Sequence, residues 1–275
     1  IVFGNFIDKK PLNNFIIKFQ KLLFKGNYLK KENYLLVTDR SNFFNDPKNI
    51  LFFFYKCLKD QLLPHSSALR LIFNKIQFIN STNFNCNVVK SYFLKILIED
   101  KNNNIFEIMH SVGVISKLIP QFSRIVCQAQ FDQYHLFTVD QHTIKALNTL
   151  KKIDYGEETE NKYLFASSIL ERIKNKKPLY LATLFHDIGK GYECNHNVIG
   201  SKIAKSVCEK FDLSVDEIDD ITWLVANHQK FCDLAFKSDL EDREIIKNLS
   251  SSIKKPEILM ALFVLTVIDI SSVNE

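Results

Sequence analysis

Apolar residues in the first forty positions come in short stretches cut by breaks (GNFIDKKPLNN, FKGNY, KKENYLLVTDRS), which predicts strands or hairpins. Asp46-Pro47 then offers an N-cap residue followed by a proline suited to a first helical turn. A helix is expected over 49–63, stopped near Pro64. From Ser67 the spacing turns mostly helical. Ala68, Leu69, Ile72, Phe73, Ile76 and Ile79 mark one helix, and Tyr92, Phe93, Leu94, Ile96 and Leu97 another. Across 109–122, which contains Gly113, a helix should stop before Pro120.

The second half reads more clearly. Helices are expected over 132–152, 163–173, 179–188, 196–211 and 214–228. A polar loop around Gly156 fills 154–162, and Gly189 and Gly191 close the 179–188 helix. Ser214 with Glu217 forms a capping box. Pro256 introduces a last helix containing the run ILMALFVLTVIDI. No internal repeat or low-complexity linker is visible, and a boundary is expected near Arg124, giving regions 1–123 and 124–275. The fold class expected is all-α in the main.

Composition narrows the setting. With 46% hydrophobic and 24% charged residues the chain is ordinary globular material, which excludes disorder, collagen-like repeats and a disulfide miniprotein. The formal charge of +5 permits an anionic substrate without indicating nucleic acid. Cys57, Cys86, Cys127, Cys194, Cys208 and Cys232 are scattered, with no Cys-x-x-Cys, as in a reducing compartment. The chain opens Ile1-Val2-Phe3-Gly4 with no secretory signature, and its longest apolar run, 258–270, is too short to span a bilayer. These features lead us to expect a cytoplasmic protein without membrane partners, cut from something longer.

Five of the seven histidines lie between His135 and His228. Asp269 sits in a helix apolar almost all round, where an unpaired carboxylate costs several kcal/mol. It needs a proton, a cationic side chain or a metal, or else it serves as a polar anchor capping a neighbouring helix. His186 and Asp187 are adjacent at the end of an apolar helix, about 100° apart, and can flank one point as mixed N/O ligands. His228 continues the apolar face of Ile218, Ile221, Leu224 and Val225, where a lone histidine is more often a satisfied core residue than a ligand. His196 falls at a helix start, usually a partly exposed position. His142 lies seven residues after His135, so both should share a helix face. Each signal alone is weak. The ordered set His142, His186-Asp187, His196, His228 and Asp269 is strong, because each falls on a predicted helix.

That order resembles the HD superfamily of metal-dependent phosphohydrolases. Gln130-Phe131-Asp132-x-Tyr134-His135-x-Phe137-Thr138-Val139-Asp140-Gln141-His142-Thr143 is similar to the QFDxYHxYTVDEHT segment of the protein-PII uridylyltransferase/uridylyl-removing family. Gly113-Val114, Ile119-Pro120-Gln121-Phe122, the LFHDIGKG run ending at Gly191, Asn195-His196, Trp223-Leu224-Val225-x-x-His228 and Leu265-Thr266-Val267-Ile268-Asp269 follow in that family's order. There are departures. Asn195 stands where the family usually has an acidic residue, and Tyr192-Glu193-Cys194 where it has a Gly/Arg-rich turn.

The resemblance implies an HD-type helical phosphohydrolase domain at 124–275, preceded by a mostly helical linker at 1–123. It implies removal of UMP from a tyrosine of the nitrogen-signalling protein PII as substrate. The family's nucleotidyltransferase signature and its glutamine-sensing ACT domains are not found in this stretch. The implied cofactor is one or two divalent ions, Mn²⁺ first, with Mg²⁺, Fe²⁺ or Zn²⁺ as alternatives. The expected ligands are His142, His186, Asp187, His196, His228 and Asp269. Asp187 would bridge, His142 and Asp269 completing one ion and His196 and His228 the other. Lys190 would stabilise charge on the phosphoryl group, although a Lys at a helix C-terminus is also favoured by the dipole. His135 is held in reserve for substrate contact or a first ligand. Rival readings are an HD phosphohydrolase acting on a free nucleotide or cyclic dinucleotide, and a PII-docking module without turnover.

Overall fold

Tyr34–Val37 buries Leu35 and Leu36 between half-buried Tyr34 and Val37 and pairs antiparallel with Tyr28–Lys31, Tyr28 facing Val37, across a tight turn in which Glu32 takes a positive φ. These strands are β1 (Tyr28–Lys31) and β2 (Tyr34–Val37) of the computed structural model. It describes residues 28–39, 43–80, 86–101, 104–129, 136–156, 163–193, 195–237, 247, 251, 253 and 255–273. A two-residue strand, β3 (Leu63–Pro64), joins β2 in parallel. Pro64 lacks an N–H and occupies the edge, where no donor is needed. The expected hairpin is present at 28–37; the segment before it lies outside the described residues.

The chain forms two compact units, Ile1–Pro120 and Gln121–Glu275. In the first, Pro47 adopts helical angles and Asp46 Oδ1 accepts from Lys48 N at 2.9 Å, so α1 (Lys48–Lys59) starts where the Asp-Pro signal predicts. It ends earlier than expected, because Gln61 takes a positive φ and Leu63 turns out to pair with Asn33. α2 (Ser66–Ile76), α3 (Asn87–Glu99), α4 (Ile105–Ser111) and α5 (Val114–Leu118) follow. Gly113, at φ +81°, separates α4 from α5, a break that costs any other residue backbone strain. The core of this unit is aromatic, with Phe43, Phe53, Phe54 and Phe93 fully buried.

The second unit is a helical bundle on α8 (Lys177–Phe185), which is buried from Pro178 to Phe185. Around it pack α6 (Val139–Asp154), α9 (His196–Cys208), α10 (Val215–Asn227) and α12 (Pro256–Ser271), with α7 (Leu164–Leu170) on α12 and α11 (Lys230–Lys237) beside it. The capping box is formed: Glu217 N donates to Ser214 Oγ at 3.2 Å and Ser214 N to Glu217 Oε2 at 3.0 Å. α6 begins at Val139 and not near 132, with Val139 N donating instead to Gln128 O. α12 is not buried all round; Leu259 and Ile270 are exposed. The fold is mainly α, as expected. No described helix is long and apolar enough to cross a membrane.

Candidate metal centre

Five helices of the second unit, and the turn after one of them, bring six side chains to one place. α6 contributes His142 from its second turn, α8 ends on His186, α9 starts with His196, α10 ends on His228, and α12 carries Asp269 in its last turn. Asp187 follows His186 but has left the helix, at φ −104° and ψ 5°. The sequence reading continued that helix to 188. The structure replaces its last turn by a 3-10 turn, Ile188–Gly191, in which Lys190 N donates to Asp187 O. The cause is packing. A Cβ on Gly189 would lie 2.0 Å from the His196 carbonyl oxygen, so only a glycine lets this turn lie against the start of α9.

The change of direction divides the six into two trios, His142–His186–Asp269 and Asp187–His196–His228, within each of which ligating atoms lie within 4.8 Å of one another. In the first, His142 Nε2 stands 2.9 Å from Asp269 Oδ1 and 3.1 Å from His186 Nε2. The second is more open, with His228 Nε2 at 3.8 Å from Asp187 Oδ1. Asp187 lies between the trios: its Oδ2 is 3.4 Å from His186 Nε2 and 3.8 Å from His142 Nε2, while its Oδ1 faces His228. His186 therefore joins His142 and Asp269, a grouping the sequence reading had not made. His142, His186, Asp187 and His228 are buried. Asp269, expected to be buried, has a fifth of its side chain exposed because it sits on the helix's final turn.

Backbone carbonyls orient the rings. His186 Nδ1 lies 2.8 Å from Thr183 O, His228 Nδ1 2.8 Å from Val225 O and His142 Nδ1 3.3 Å from Ser272 O. When each Nδ1–H donates to its carbonyl, all three Nε2 lone pairs are left facing the carboxylates, as in metal-binding histidines. A lone pair 2.9 Å from a carboxylate oxygen is tolerated only with a proton or a cation between them. His196 Nε2 is buried with no hydrogen-bond partner at all.

Charge balance says the same. Burial alone would depress His186, but Asp187 first, then Asp269, raise it to about 10. Burial opposes the charge on Asp187, and His186, Lys190 and His228 overcome this to hold it well below the usual carboxylate range. Asp269, partly desolvated, is likewise held low by His142 and His186. Burial, with the charge of His186, lowers His228 to about 4, and burial lowers His196. Two ionised carboxylates thus share a buried space with one imidazolium and three other imidazole rings. Imidazole and carboxylate in that ratio fit a divalent transition cation.

Lys190 Nζ lies 2.8 Å from Asp187 Oδ2, the oxygen that faces His142 and His186. His135 lies outside the described residues. Two contributors had no signal in the sequence: Ser272, whose carbonyl orients His142, and Gln128, whose Nε2 donates to Lys190 O at 2.7 Å. Neither is a metal-ligand type at a ligand spacing.

Comparison with known proteins adds a family. The HD domain matches residues 139–263. The bifunctional uridylyltransferase/uridylyl-removing enzyme of Azospirillum brasilense is 34% identical over 87% of this chain and 26% of its own length. The enzyme of the same name from Ruegeria pomeroyi is 35% identical over 91% of the chain and 28% of its own length. That from Zymomonas mobilis is 35% identical over 87% and 26%. The chain spans about a quarter of the length of these relatives.

Proposed function

We propose, for a chain that belongs to the HD-domain proteins and corresponds to the HD-bearing portion of the uridylyltransferase/uridylyl-removing enzymes, that residues 124–275 hydrolyse the UMP–tyrosine phosphodiester of uridylylated PII. The observation that carries this reading is the convergence of six imidazole and carboxylate groups with a buried, unpartnered His196 Nε2 among them. His142, His186 and Asp269 would hold one divalent ion, and Asp187, His196 and His228 a second, with Asp187 between them. Mn²⁺ is the favoured ion on family resemblance. A bound divalent cation supplies Lewis-acid screening of the phosphodiester charge and a water of lowered pKa.

The chain's own groups do the remainder. The carbonyls of Thr183, Val225 and Ser272 hold three rings in one tautomer and orientation. Asp187 divides its two oxygens between the trios. Lys190, tethered to Asp187 at the rim, places a positive charge where phosphoryl oxygens would accumulate negative charge. Tyrosine phenolate, with a pKa of about 10, leaves without strong help from a general acid. His135 stays in reserve for substrate contact.

The test is UMP release from uridylylated PII in the presence of Mn²⁺, comparing the chain with its Asp187→Asn variant. Release by the parent chain and a loss of about 10³-fold or more in the variant is expected, in line with the removal of a group central to the reaction. Stoichiometric metal binding with no release would overturn the substrate assignment and favour another phosphoester or a docking role. Unchanged release in the variant would overturn the site.

A further inference from the structure

Between the 3-10 turn Pro120–Arg124 and α6, residues 124–128 run as a strap over the HDIGKG turn. Ile125 is fully buried, and Cys127 takes a positive φ. The strap is fastened to the start of α6 twice. Val139 N donates to Gln128 O at 3.0 Å, and Cys127 N donates to Asp140 Oδ1 at 3.1 Å. It is also fastened to the HDIGKG turn. A Cβ on Gly191 would fall 2.7 Å from Arg124 Cβ, the Arg124 guanidinium stacks on the Tyr192 ring at 4.5 Å, and Gln128 Nε2 donates to Lys190 O at 2.7 Å. The turn is therefore gripped from two sides, by α9 at Gly189 and by the strap at Gly191, with Lys190 in between.

We propose that Gln128 is a positioning residue for Lys190: its amide fixes the Lys190 main chain so that the ammonium reaches Asp187. The proposal rests on the hydrolytic reading only for its kinetic consequence. Three observations support it. The Gln128–Lys190 hydrogen bond ties the strap to the turn through a side chain, and it lands on Lys190 itself. The Gln128 Oε1 atom is buried and meets no donor, so the side chain is held there by what its Nε2 donates. The same five-residue strap joins α6, which carries His142, to the turn that carries Asp187, so it fixes one ligand-bearing segment against another. Lys190 has a long, flexible stem, and an ammonium on such a stem reaches a defined point only if its backbone is held.

The test uses Gln128→Met, which keeps length and loses the donor, and Gln128→Glu, which keeps shape and sets a carboxylate against the Lys190 carbonyl. One readout is independent of activity: the rate of acetylation of Lys190 by an N-hydroxysuccinimide ester, followed by peptide mass spectrometry. Release of the ammonium from Asp187 should speed labelling several-fold in both variants, with Lys205 as an internal reference that does not change. The other readout is kinetic. If the parent chain hydrolyses uridylylated PII, kcat should fall about tenfold with KM little altered. In a Lys190→Ala background, Gln128→Met should cause no further fall, as groups acting through one another are non-additive. Lys190 labelling equal to the parent's in a folded variant overturns the proposal whether or not the chain hydrolyses PII. Additive kinetic losses overturn it too, by making Gln128 a structural residue only. A parent chain without hydrolysis, but with faster Lys190 labelling in the variants, sinks the functional reading and leaves the positioning role standing.

Discussion

The two units bury different kinds of side chain. Among the described residues of the first, the buried polar groups are Thr38 and Asp100, and the centre is a cluster of rings: Phe43 lies edge-on to Phe53 at 5.9 Å, Phe53 to Phe54 at 5.4 Å, and Tyr28 stacks on Phe53 at 6.0 Å. The second buries Asp140, His142, Lys151, His186, Asp187 and His228 in addition to its apolar core. Buried ionisable groups oppose stability unless paired or bound to a cation, so a unit that gathers His142, His186, Asp187 and His228 at one point has a use for them beyond folding. The first unit owes its buried contacts to packing; the second holds the candidate metal centre and must tolerate its electrostatic cost.

That contrast can be tested by substitutions, beginning with the largest effect. Phe53→Ala should remove about 3–5 kcal/mol of stability, read by urea denaturation, through lost burial and a cavity among the surrounding rings. Metal content per folded molecule should stay at the parent's value; a proportionate loss of metal would break the division of labour. Gly189→Ala should do the reverse. Its Cβ meets the His196 carbonyl, which must move with its ring, so the second trio should lose its ion and hydrolysis should fall about 100-fold, the usual result of a displacement near 1 Å. Metal titration by calorimetry would count the ions retained, and an undiminished count would mean that the turn does not govern the trio.

The smallest effects concern the capping box, which lies in the second unit away from the candidate metal centre and should act only on stability. Ser214→Ala should cost about 1 kcal/mol with hydrolysis intact. Burial tends to raise Glu217, but Lys177, Asn175 and the Ser214 N–H outweigh it and hold the group at about 2, below an ordinary carboxylate. A depressed carboxyl contributes its stability in full above the ordinary carboxylate range and loses it as pH falls towards 2. The melting-temperature gap between the parent chain and Glu217→Gln should therefore be open at pH 6 and close between about pH 4 and pH 2. A gap constant across that window would show that the charge of Glu217 stabilises nothing.

Local signals in the chain were legible because their physics is local. Ser214 and Glu217 cap a helix from three residues apart, Asp46-Pro47 starts one, and Gly113 breaks one, each by its own backbone demand. The apolar face of α10, buried at Ile221, Leu224 and Val225, points inward and carries His228 with it. Histidines and aspartates in HD order likewise singled out, before any coordinates, the six residues that the fold brings together.

How those six residues divide was decided only by tertiary contact. Adjacent on a continuous helix, His186 and Asp187 would serve one point; leaving the helix, they serve two, and they leave it because Gly189 must clear a carbonyl of α9. The orientation of His142 comes from a carbonyl 130 residues away, and the placement of Lys190 from a glutamine 62 residues away. Spacing along a chain encodes which face of an element a residue occupies, because helix geometry is periodic. Which faces meet, and which backbone atoms they present to one another, depends on close packing between distant segments, and only the folded molecule supplies it.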